Sequence, residues 1–269
     1  MLKLLQIKIK LFFRDYPAVF FTIIFCPILL LIFGIAMGND PNPIFGGQGS
    51  VDISIPAYMV IIIAGVSLLS FPIAYSGSKE RGELRRQKMM PVSSMSLLML
   101  DGIVYLLLAL VGMALTFIIG HIVYKTPWPN NIWTFIIGIL ISYISIFSIG
   151  ILLAVLCKTA KAAQALGFAL FFTMLFLSGA STPLEMMNDT MLKISDYIPL
   201  KYSVVLMRNI WVGEPLSKVK NEIGVLLLIM AACIILSLVI IHYSEFGGLK
   251  KKTKSANNKG LKGRCTNED

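Results

Sequence analysis

YIPLKYSVVLMRNIWVG, Tyr197 to Gly213, is apolar enough to pass for a membrane span, yet it carries Lys201 and Arg208. Placing each of those charges at membrane depth would cost about 2.5 to 3.5 kcal/mol on insertion scales. A seventh span would also carry the basic tail to the face opposite the N-terminus. We therefore read the stretch as short helices dipping into the outer leaflet, broken at Pro183, Pro199 and Pro215. They belong to a re-entrant region of about residues 180–221. Irregular backbone at that depth must be buried in protein or line a wet cavity.

Outward from this stretch, six apolar blocks have the length of a spanning helix: about Val19 to Gly38, Ala57 to Gly77, Ser96 to His121, Trp133 to Leu156, Ala162 to Gly179 and Ile223 to Tyr243. Helix is the expected conformation, because backbone groups left unpaired in lipid are costly and the runs lack barrel-like alternation. The 269 residues are 57% hydrophobic and only 14% charged, well below the roughly 25% charge of soluble domains. The predicted class is an all-α polytopic membrane protein with six spans. Its first unit covers residues 1–246, and a basic tail at 247–269 is expected to be disordered. Pro27 and Pro72 fall inside spans and are expected to kink them.

The basic residues set the predicted orientation. With the N-terminus inside, 18 Lys and Arg lie on the inner side: four before the first span, five from Lys79 to Lys88, Lys158 and Lys161, and seven in the tail. The outer side holds six, and this bias puts both termini in the cytoplasm. The same bias accounts for the net charge of +10 without invoking nucleic acid. Residues 1–16 mix Leu4, Leu5, Leu11 and Phe12 with four basic residues, which suits an interfacial helix in contact with membrane lipids. The apolar block from Val19 is too long for a signal-peptide core and is read as a retained span. Cys26, Cys157, Cys233 and Cys265 show neither CxxC pairing nor metal-ligand spacing.

Between the second and third blocks lies GSKERGELRRQKMMPVSS, Gly77 to Ser94, with five basic and two acidic residues. Ser78 is placed to cap a short helix of about residues 78–90, Glu80 suits its N-terminal end, and Pro91 stops it. On composition the charges are topogenic contacts for anionic lipid. The ordered pattern Glu80, Arg81, Gly82, Leu84, Pro91 and Ser93 supports a second reading.

That pattern resembles the signature of type-2 ABC exporter permeases. The likeness continues through FLSGASTPLEMMNDTMLKISDYIPLKYSVVLMRNIWVG, with Ser178, Gly179, Pro183, Pro199 and Arg208 at the corresponding positions, and it extends to about Phe246. It departs from that family at Leu84 to Arg86. The resemblance implies a partner, a cytoplasmic ATP-binding subunit carrying Mg-ATP, and a second permease copy or paralogue, with no cofactor on this chain. The sequence agrees in one respect, for it has no GxxxxGK[ST] phosphate loop and no Gly-Lys dipeptide. Under this reading Glu80, Arg81, Gly82, Leu84, Arg85 and Pro91 couple to the ATPase, with Leu84 and Met89 as apolar anchors. Gly179, Pro183, Pro199 and Arg208 belong to the outer gate.

For cargo, Ser142 and Ser145 of the fourth block and Thr173 and Ser178 of the fifth could line a path for amphipathic compounds. Small and hydroxylated residues serve helix packing equally well. Arg208 is either an interfacial anchor or an ion-pair partner of Asp189 or Asp196. Asp101, His121, Glu222 and Glu245 all sit near span ends, which disfavours a proton- or sodium-driven carrier. Exporter permease of a bacterial plasma membrane, moving an antibiotic, lipid or peptide, is the expected function. A non-transporting membrane scaffold and a secondary carrier are the alternatives.

Overall fold

The computed structural model describes residues 19–40, 49–83, 94–181 and 187–240, together with positions 10 and 47. The expected interfacial helix at 1–16 and the tail at 247–269 lie outside these described residues. Every regular element among them is helical. Five helices are long and apolar enough to cross a membrane. These are α2 (Ser50–Glu80), α3 (Ser94–Tyr124), α4 (Ile132–Leu156), α5 (Ala160–Leu177) and α8 (Lys220–Ile240). They are preceded by α1, in which a π-helical stretch Phe20–Ile24 runs into an α-helix Phe25–Met37. Its apolar part, Phe20–Ala36, is shorter than the others, about 25 Å at 1.5 Å per residue against a hydrocarbon core of about 30 Å. Two short helices, α6 (Asp189–Ser195) and α7 (Pro199–Val212), lie between α5 and α8. The stretch around Lys201 and Arg208 is thus a 14-residue helix, not a seventh span.

One helix organises the rest. In α2, 89% of the most apolar window is buried by the chain itself, against 11% in α8. Its first part, Ser50–Ala64, packs on α1, α3 and α7, and its second part packs on α4 and α5. Tyr58, Ile61, Ile62, Ile63, Leu68 and Phe71 are fully enclosed. This explains why α2 has almost no polar face.

The central helix is not a regular α-helix. Between Ala64 and Phe71 it widens into a π-helical stretch, Gly65–Ser70, in which the Phe71 N–H reaches back to the Val66 carbonyl. Pro72 follows and has no N–H to give to the preceding turn. The Ser67 and Leu68 carbonyls one turn back lie against glycines of the neighbouring helices. A Cβ on Gly150 of α4 would collide with the Ser67 oxygen, and one on Gly167 of α5 would come to 2.6 Å from that of Leu68. The same arrangement recurs in α1. Its π-helical stretch precedes Pro27, and Gly112 of α3 lies directly against the Thr22 carbonyl. Both prolines expected to kink spans therefore follow a loosened turn covered by a glycine.

Two boundaries differ from expectation. The second span is expected to begin near Ala57, but α2 begins at Ser50 and includes Pro56. The helix starts early because Asn39 caps it from a distance. The Asn39 amide oxygen accepts the Val51 N–H at 3.1 Å, its Nδ2 donates to Asp52 and to the Tyr124 carbonyl at 3.3 Å each, and Val51 and Ile55 are buried. At the other end, the separate helix expected from Ser78 does not begin there. Gly77 to Glu80 continue α2, and the break falls at Arg81 and Gly82. Glu80 therefore sits at a helix C-terminus, not in the first turn of a new helix.

Candidate functional site

The charged end of α2 is held by contacts that span the chain. The Lys79 ammonium donates to the Val155 and Cys157 carbonyls at 3.1 Å each, where α4 ends. The adjacent Glu80 carboxylate accepts the Ala160 N–H at 3.0 Å, the first amide of α5. A cation thus meets the negative end of one helix and an anion the positive end of the next, each complementing a helix dipole. Thr159 completes the cap of α5 by accepting from the Ala162 N–H at 3.2 Å. Gly77 lies beside this junction, where a Cβ would come to 3.6 Å from the Ala160 Cβ, an ordinary van der Waals contact.

Beyond this junction the chain turns. Arg81 N–H donates to the Gly77 carbonyl and Gly82 N–H to that of Lys79, and Gly82 takes φ +73°, a left-handed conformation that ends helices readily only in glycine. Arg81 and Glu83 flank the turn as an exposed ion pair, Nε to Oε1 at 2.7 Å. The Glu83 carboxylate raises the Arg81 pKa further above its ordinary value. Of the residues expected to couple to an ATPase, Glu80, Arg81 and Gly82 are thus adjacent at one helix end. Leu84, Arg85 and Pro91 lie outside the described residues.

At the opposite end, the structure joins two of the expected gate residues. Gly179, at φ +80° just past α5, offers its carbonyl to Arg208 Nη2 of α7 at 3.0 Å. Asp196 is engaged by Lys201 at 2.6 Å. Pro199 opens α7 in its first turn, where a missing N–H is harmless. Pro183 lies outside the described residues. Asn188, which heads an Asn-Asp-Thr sequence, caps α6 by accepting the Met191 N–H.

The hydroxyl residues expected along a path differ in burial and in their hydrogen bonds. Ser142 and Ser145 share the buried face of α4, and Ser145 donates to the Leu226 carbonyl of α8 at 2.9 Å, an inter-helix contact. Ser178 is buried in the turn after α5 and accepts from the Ala180 N–H. Thr173 lies on the exposed side of α5, its hydroxyl turned to the Ala169 carbonyl. Sequence reasoning missed Lys79 and the α4–α5 junction as parts of this site. Only the Thr159 cap gave a local signal there.

A family model for ABC-2 family transporter protein matches residues 38–239, from the first connection to near the end of α8. The chain belongs to the ABC-2 transporter family. It is the membrane subunit of an ABC transporter, and that family implies an ATP-binding partner. Comparison with curated proteins gave no match. Among the described residues, no group of three or more His, Cys, Asp or Glu could hold a metal ion.

Proposed function

We propose that this chain is the membrane half of an exporter driven by Mg-ATP bound to a separate cytoplasmic subunit. It moves a hydrophobic or amphipathic compound, such as an antibiotic, a lipid or a peptide, out of a bacterial cell. The observation that carries the reading is the course of α2. A helix buried along nearly its whole length ends in the exposed Arg81, Gly82 and Glu83 turn. A push on that turn reaches the core of the membrane domain directly.

In this reading both termini are cytoplasmic and the Glu80 end of α2 faces the ATPase. Glu80, Arg81, Gly82, Leu84, Arg85 and Pro91 form the coupling segment, and the ATPase fits against it. Movement passes along α2 to α7 and the Gly179–Arg208 contact at the outer end. A second permease copy or a paralogue completes the path, which opens alternately to the two faces. Thr173 on the exposed face of α5 is available to such a partner, and Ser142, Ser145 and Ser178 lie deeper in the chain.

The test is copurification from native membranes. A stoichiometric phosphate-loop ATPase should accompany the chain, and Glu80→Ala with Arg81→Ala should leave the protein inserted while abolishing nucleotide-driven transport. Wild-type transport by the double variant would remove the case for coupling through this segment.

A further inference from the structure

Glu80 stands at the exposed end of α2, and its carboxylate reaches across to the neighbouring pair of helices. Its carboxylate is spent on the Ala160 amide, 80 residues away, while Lys79 holds the last carbonyls of α4. Gly77 lies against Ala160 on the same side. Three helix ends, those of α2, α4 and α5, therefore meet at two neighbouring side chains. Two irregular points of backbone flank this junction, Gly82 with φ +73° and the buried π-helical stretch Gly65–Ser70 ahead of Pro72.

We propose that Lys79 and Glu80 form a clasp that makes the ends of α2, α4 and α5 move as one body, with bending confined to Gly82 and the Gly65–Ser70 stretch. Within the coupling segment, Glu80 is then a positioning residue that acts through the α4–α5 junction. The proposal rests on the exporter reading for its mechanical meaning, but the clasp exists or fails independently of it. Without it, a push at Gly82 reaches α4 and α5 only through the side-chain packing of α2 against them. With it, the helix ends themselves also carry the push to α4 and α5, whose glycines cover the kink.

The geometry supplies its own test. The Cβ separation of 3.6 Å between positions 77 and 160 lies within the range a disulfide needs. Gly77→Cys and Ala160→Cys are introduced after Cys26, Cys157, Cys233 and Cys265 have been replaced by Ala. In lipid vesicles containing this chain alone, copper-phenanthroline should join the pair rapidly. Adding Glu80→Ala should slow the reaction about tenfold, as loss of a charge-assisted bond would, and Glu80→Asp should recover part of the rate. An unchanged rate in Glu80→Ala overturns the clasp.

The second arm uses the complex with its copurified ATPase. Its readout is the change in hydrogen exchange of Pro199–Val212 on trapping with Mg-ATP and vanadate. Glu80→Ala should lose that change, oxidation of the cysteine pair in the same variant should restore it, and reductant should remove it again. If oxidation does not restore the change, Glu80 acts elsewhere and the proposal fails. If no ATPase accompanies the chain, the exporter reading fails, and the vesicle measurement still decides whether the clasp exists.

Discussion

The two ends of α2 are fastened by different chemistry. At the Asn39 end, α7 lays Leu200, Val204, Leu206, Met207, Ile210 and Trp211 into the interior, and Trp211 meets the rings of Phe117 and Phe135 edge-on at 5.8 and 5.4 Å. At the Glu80 end a smaller apolar cluster, Leu153, Cys157 and Ala163 with Ile73, is supplemented by exposed charges on helix termini. Contacts of the first kind are individually small, non-directional and large in sum. Those of the second kind are each worth about 0.3 to 1 kcal/mol and depend on direction. One end is built to hold, and the other to respond.

The contrast breaks first at its strongest point. Trp211→Ala should cost about 3 to 5 kcal/mol of stability, measured by equilibrium unfolding in mixed micelles. A loss below about 1 kcal/mol would mean that α7 is not an anchor. Next, Gly150→Ala forces a methyl onto the Ser67 carbonyl and should cost about 1 to 3 kcal/mol, seen in the same unfolding curve. Gly224→Ala, which meets nothing within 4 Å, is its control.

Arg208→Met keeps the length of the side chain but removes the donor to Gly179. It should cost about 1.5 kcal/mol and raise hydrogen exchange just after α5. The smallest stability effect is expected at the clasp, where Glu80→Gln should shift unfolding by less than about 1 kcal/mol. Nucleotide-driven transport should nevertheless fall about tenfold. Should Glu80→Gln instead destabilise the fold as much as Trp211→Ala, the two ends would not differ in kind.

The sequence anticipated the fold wherever helix boundaries are local. The fourth span, expected at Trp133 to Leu156, is found at Ile132–Leu156, because Asn131 caps it just where the apolar run begins. The fifth, expected at Ala162 to Gly179, is found at Ala160–Leu177 behind the Thr159 cap. The start of α2 was hidden because its cap, Asn39, comes from an earlier segment and makes Ser50 to Pro56 helical against their local preference.

The site was less legible for the same reason. Glu80 was singled out by its pattern, but its partner is a backbone amide that no side-chain spacing reveals. Arg208 was weighed as an interfacial anchor or an ion-pair partner of two aspartates, and neither reading anticipates its hydrogen bond to the Gly179 carbonyl. Long-range bonds to backbone leave no periodicity in a sequence.

The glycine-covered kinks also bear on how the protein is made. When α2 enters the bilayer, the helices that shelter its Ser67 and Leu68 carbonyls, α4 and α5, have yet to be synthesised. Carbonyls released by a proline are tolerated in hydrocarbon only when something else attends to them. The nascent second helix must therefore wait, incomplete, beside the translocation machinery or another escort until Gly150 and Gly167 arrive.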